Sequence, residues 1–201
     1  MRDEPQITAY DTLMGDGDCG TTLVTGATTI TDAISSIRVD SLSHAMVSIS
    51  DLISKGMGGT SGAMYAIFFT SFAAAVQTSN SSLPIVFQAV AEMASRALDT
   101  LRRYAKANVG DRTMMDALIP LISELCEGAK AGLTAVDTLQ RATTAAAEGC
   151  NATRSMRGVF GRSTYVGAGE EADDTKGIPD PGAMGVVAIS QGILDAVLVA
   201  G

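Results

Sequence analysis

The chain has 201 residues, 46% of them hydrophobic, which is enough for one well-buried domain. Its 22 acidic residues outweigh 14 basic ones, and the formal charge of −8 argues against a broad nucleic-acid or anionic-membrane surface. Three scattered cysteines, Cys19, Cys126 and Cys150, show no CxxC spacing and follow no secretory leader; with apolar stretches broken by polar residues, they predict a soluble cytoplasmic protein without a membrane span.

Alanine, leucine and methionine are abundant, and β-branched residues seldom alternate with polar ones, so the chain reads as all-α. The predicted helices run Pro5–Leu13, Gly20–Ile37, Ser41–Lys55, Ser61–Thr78, Leu83–Lys106, Thr113–Ala131, Ala135–Met156 and Ala183–Val199. In the sixth, Met115, Leu118, Ile119, Ile122 and Leu125 form one apolar stripe at helical spacing. The connections alternate in character. "MGDGDCG", "GMGGTSG", "ANVGDRT" and the long "RGVFGRSTYVGAGEEADDTKGIPDPG" are rich in glycine and acids, whereas "RVDS", "SNSSL" and "GLT" are short and plain. In an up-and-down antiparallel arrangement every odd-to-even connection emerges at the same end, which brings the four unusual loops together. Taken singly, each is also explained as a glycine-bearing turn.

"MGDGDCG", residues 14–20, spaces its glycines like a dinucleotide-binding loop yet carries Asp16 and Asp18 where pyrophosphate would lie. The segment before it does not read as the strand a Rossmann unit needs. Counting from Asp16, an EF-hand would require a glutamate where Ala27 stands. No GxxxxGK[ST] sequence occurs. Asp11 lies five residues before Asp16, so the turn is able to aim three carboxylates at one point. Hard cations such as Mg²⁺ choose oxygen ligands and complete their shells with phosphates, which explains an acidic loop at an anion site. The plain alternative is a solvated Asp-Gly turn. In "GGTSG", the Thr60 and Ser61 hydroxyls and amides at a helix start form an anion cradle or an ordinary N-cap.

The blocks "DTLMGDGDCGTT", "MGGTSGAMYAIFF", "GDRTMMDALIP", "GRSTYVG" and "DPGAMGV" resemble, in order and over nearly the whole chain, the C-terminal, DhaL-like nucleotide-binding domain of dihydroxyacetone kinases. Cys19 after the second aspartate is more similar to the single-chain, ATP-dependent enzymes than to the phosphotransferase-system subunit, which usually has histidine there. The resemblance implies an eight-helix up-and-down barrel with the nucleotide at one rim. It implies that Asp11, Asp16 and Asp18 hold two Mg²⁺ ions between them and the phosphates of ATP or ADP. It places Gly17, Cys19, Thr60, Ser61, Ala105, Thr113, Met114, Asp180, Pro181 and Gly182 at the nucleotide. Thr113 as a helix cap and Met114 as core are equally natural from the residues alone. Arg162 is the candidate catalytic residue, stabilising charge on the transferring phosphoryl group; a surface ion pair with Glu170 or Glu171 is its alternative.

Family members carry more sequence before the Asp11 block, so the resemblance implies a shortened first helix and a fragment, residues 1–201, that lacks the substrate-binding domain. These kinases hold dihydroxyacetone through a histidine on that other domain, and the sole histidine here, His44, matches no such motif. The expected function is therefore the Mg-ATP half of a dihydroxyacetone kinase, partnered by a ketose-binding domain or subunit and compatible with a homodimer. An ADP-carrying subunit of a phosphotransferase system and a non-enzymatic nucleotide-sensing module are the alternatives. Related domains also serve fatty-acid kinases and an FMN-forming lyase. The segment 167–182 reads as a lid over nucleotide or a plain surface loop.

Overall fold

The computed structural model describes residues 2–39, 41–78, 87–160 and 177–200. Among them there are eight α-helices and no strand, as the composition predicts: α1 Glu4–Met14, α2 Cys19–Asp32, α3 Leu42–Gly56, α4 Gly59–Thr78, α5 Phe87–Tyr104, α6 Met115–Lys130, α7 Ala135–Ala152 and α8 Pro181–Ala200. Short 3₁₀ turns follow α2 (Ile34–Ser36) and α7 (Thr153–Ser155). The helix expected over 20–37 thus stops early. Thr25, Thr29 and Thr31 each turn a hydroxyl back onto the carbonyl four residues earlier, which weakens a helix rich in β-branched residues.

The helices form two compact units, Met1–Gly20 with Ala107–Gly201, and Thr21–Lys106. In the second unit α4 packs against both α3 and α5. Ser50 on α3 donates to the Ala66 carbonyl at 2.9 Å and lies 2.6 Å from the Thr70 hydroxyl, while Ser43 reaches the Ala73 carbonyl. Short hydroxyls thereby satisfy one another where the helices approach closely. On α5, Ala91, Ala94, Leu98 and Leu101 recur at helical spacing and are buried.

In the first unit α7 packs against α6 and α8, and α8 also touches α6 and α1. Met115, Leu118 and Ile122 of the predicted stripe are buried. On α7 Thr138, Ala142, Ala146 and Cys150 are all buried; such small side chains let helix axes come close. The helices α4 and α8, each 20 residues with mean hydropathy of 1.3 and 1.9 over their most apolar windows, are long and apolar enough to cross a membrane by length and composition. Within its own unit each packs against partner helices, and 28% of each window is buried. No disulfide joins cysteines among the described residues.

Candidate functional site

The acidic turn is built by a helix ending and another beginning. The Gly15 amide bonds the Asp11 carbonyl at 2.6 Å and closes α1. Gly17 has φ +74, and a Cβ there would stand 2.6 Å from the Thr12 hydroxyl, so this position requires glycine. Asp11 then reaches across the turn to accept the Cys19 amide at 2.9 Å, satisfying a donor at the start of α2. With its ends so fixed, the turn places one carboxylate oxygen each from Asp11, Asp16 and Asp18 within 4.8 Å of one another. Three like charges at this spacing repel. An all-oxygen donor set of this kind suits a hard divalent cation, which removes the repulsion. The residues fit the metal that the sequence predicts.

The loop between α5 and α6 is organised by Asp116, which is fully buried. Its carboxylate accepts the Gly110 amide at 2.6 Å and the Thr113 amide at 2.8 Å. Between those two donors Arg112 is held at φ +58, a conformation costing a non-glycine residue about 1 kcal/mol or more. Its side chain turns inward and is only 7% exposed. There Nη2 donates to the Met14 sulfur at 3.0 Å and to the Ile178 carbonyl at 3.1 Å. Desolvation by burial lowers the guanidinium pKa from its ordinary value, opposed by the attraction of Asp180.

The start of α8 lies beside this arginine. Asp180 caps the helix, its Oδ2 accepting the Ala183 amide at 2.7 Å, while its own amide donates to the Thr153 hydroxyl at 2.8 Å. Burial pushes the Asp180 carboxyl up to about 7; the Ala183 bond and Arg112 pull it down, and the charges of Asp116 and Asp11 push it up. Gly182 leaves room for Met114, whose Cβ would lie 3.2 Å from a Cβ placed there. Arg154 steadies the preceding segment by donating to the carbonyl of Gly177 and, at 2.8 Å, to Asn151 Oδ1.

Of the residues singled out in the sequence, the first unit therefore gathers the acidic trio, Cys19, Thr113, Met114 and Asp180–Gly182. Thr113 accepts the Met115 amide at the start of α6, and Met114 is 7% exposed, so both also serve the local fold. Thr60, Ser61 and Ala105 belong to the second unit. There Thr60 is exposed and Ser61 partly so at the start of α4, behind Gly59 at φ +66, and Gly62 is pressed against the Met57 carbonyl. Arg162 and residues 167–176 of the lid reading lie outside the described residues. Arg112 and Asp116 carry the geometry without having been singled out. Thr113-x-x-Asp116 is a capping-box spacing, and it is the signal that points to Asp116; nothing local marks Arg112.

Fold and turn together define an all-α domain with an acidic turn of cation-binding composition. Comparison with known proteins narrows this class. Residues 13–195 match the family described as the DAK2 domain, and the chain belongs to that family. It is 39% identical over 198 residues to dihydroxyacetone kinase 1 of Saccharomyces cerevisiae, covering 98% of this chain and 32% of that one. It is 32% identical over 193 residues to human triokinase/FMN cyclase, covering 96% and 32%. Among solved structures, the native dihydroxyacetone kinase of C. freundii superimposes with a TM-score of 0.74 at 27% identity over 97% of this chain and 32% of its own. The same kinase in complex with AMP-PNP and Mg²⁺ gives 0.72 at 26% identity over 97% and 31%. The chain thus spans about a third of the length of these relatives.

Proposed function

We propose that this chain is the nucleotide-binding part of a dihydroxyacetone kinase, and that it presents the γ-phosphate of Mg-ATP to a ketose hydroxyl held on another domain or subunit. The observation that carries this reading is the convergence of Asp11, Asp16 and Asp18 within 4.8 Å. Its support is the kinship to dihydroxyacetone kinases and to one of them in complex with AMP-PNP and Mg²⁺. Asp11, Asp16 and Asp18 would hold two Mg²⁺ ions, which would supply positive charge to offset that of the nucleotide phosphates. Thr60 and Ser61 offer hydroxyls and amides to phosphate oxygens. Thr113, Met114 and Asp180–Gly182 bound the nucleotide, and Arg162 contacts the transferring group. No general base is required within the chain, because positioning and charge neutralisation supply most of what phosphoryl transfer demands.

The test is calorimetric titration with Mg-ATP. Asp16→Asn and Asp18→Asn keep the side-chain size and lose the charge that holds a hard cation. Each variant should retain its helical circular dichroism and lose most of its affinity. Unchanged affinity in both refutes the metal reading.

A further inference from the structure

We infer that Arg112 is a positioning residue for metal and nucleotide, a role that rests on the function proposed above. Three observations converge on it. Its backbone occupies the left-handed region at φ +58, where non-glycine residues are uncommon, and two bonds to one buried carboxylate bracket it there. Its guanidinium is buried at the cost of desolvation, against which Asp180, once ionised, acts as a nearby opposite charge. A methionine would fill such a space without that cost.

What the arginine achieves in return is connection. Met14 is the last residue of α1, immediately before the turn that carries Asp16 and Asp18. Ile178 stands two residues before Asp180, the cap of α8. One nitrogen, Nη2 at the end of the buried guanidinium, donates to both. Arg112 therefore fixes the root of the acidic turn against the lead-in to α8, while Asp116 fixes Arg112. The role assigned to it is to position, not to coordinate, metal or phosphate. Its effect runs through the placement of the groups that do.

The experiment uses the full chain with Arg112→Met, Arg112→Lys and Met14→Leu. Circular dichroism and thermal melts establish folding, calorimetry reads Mg-ATP and Mg²⁺ affinity, and amide hydrogen exchange without ligand reads local order. Folded Arg112→Met should lose about 10–100-fold in Mg-ATP affinity, the loss typical when the support of a metal ligand is removed. Exchange should quicken at residues 14–19 and 177–183 and stay unchanged in the middle of α7. Arg112→Lys keeps the charge but not the guanidinium's length and shape that set Nη2 between the two acceptors, and should fall between Arg112→Met and the parent chain. Met14→Leu should weaken binding less, and its effect should vanish in the Arg112→Met background, because both changes remove one contact. If Arg112→Met fails to fold, the lysine and leucine variants decide by the same readings. A folded variant with parental affinity and parental exchange overturns the inference, as does faster exchange spread evenly over the chain. If the parent itself does not bind Mg-ATP, the nucleotide reading fails, and local exchange still decides whether Arg112 holds the two segments.

Discussion

At Asp180, burial and hydrogen bonding pull one carboxyl in opposite directions, and burial prevails. Its ordinary pKa of 3.8 rises to about 7 in the folded chain. The folded state thus retains a proton that the unfolded state has already released, so stability falls as pH rises from 3.8 to about 7 and changes no further above that. Asp180→Asn keeps an oxygen to accept the Ala183 amide and removes the titration. In urea unfolding at about pH 5 and about pH 8, the parent should lose stability across the interval relative to this variant. A constant gap between the two would show that the carboxyl is ionised throughout. The aspartate in "DPG" is legible in the sequence as a helix start, but its proton affinity is not, because desolvation depends on what the rest of the unit packs around it.

Between α6 and α7 the decisive detail is a missing donor. Pro120 lies inside α6 and has no N–H for the Asp116 carbonyl one turn earlier. That carbonyl instead faces Gly149 of α7, where a Cβ would collide with it. Gly149→Ala should therefore cost about 1–3 kcal/mol, because the obstacle is backbone that has no rotamer to change. Denaturant unfolding measures this loss. Mg-ATP affinity should fall with it, since any shift of Asp116 disturbs the bonds it makes to Gly110 and Thr113. A variant as stable as the parent would mean that the two helices separate without penalty. The periodicity of α6 is plain in the sequence through Met115, Leu118 and Ile122, and it survives the proline. The early end of α2 is less visible, because the threonine back-bonds compete with a composition that otherwise continues a helix.

At the scale of the whole molecule, the chain corresponds to about a third of the kinases it resembles. Its one histidine, His44, is exposed on the first turn of α3, where its amide donates to the Ser41 hydroxyl. It lies outside the glycine-rich loops. Holding donor and acceptor in line is worth about 7–11 kcal/mol in well-oriented systems, and a nucleotide site without an acceptor site supplies half of that arrangement. The chain alone should bind Mg-ATP yet not phosphorylate dihydroxyacetone at a useful rate, and adding a ketose-binding kinase domain should restore turnover. Coupled detection of ADP and dihydroxyacetone phosphate, with each component alone and with both, checks this. Robust activity from the chain by itself would reveal an acceptor site within these residues.

The sequence by itself determined the all-α class, the helices to within a few residues at most ends, and the acidic turn. All of these depend on neighbours a turn or two apart: the apolar spacing of α6, the glycine at position 17 and the aspartates that flank it. Tertiary structure alone decided that Arg112 lies inside, that Asp116 anchors the loop around it, and that Asp180 holds its proton to about 7. Arg112 meets Met14 across 98 positions of the chain and Ile178 across 66. No local pattern encodes such a meeting, because it exists only once packed helices have brought distant segments together and withdrawn the water between them.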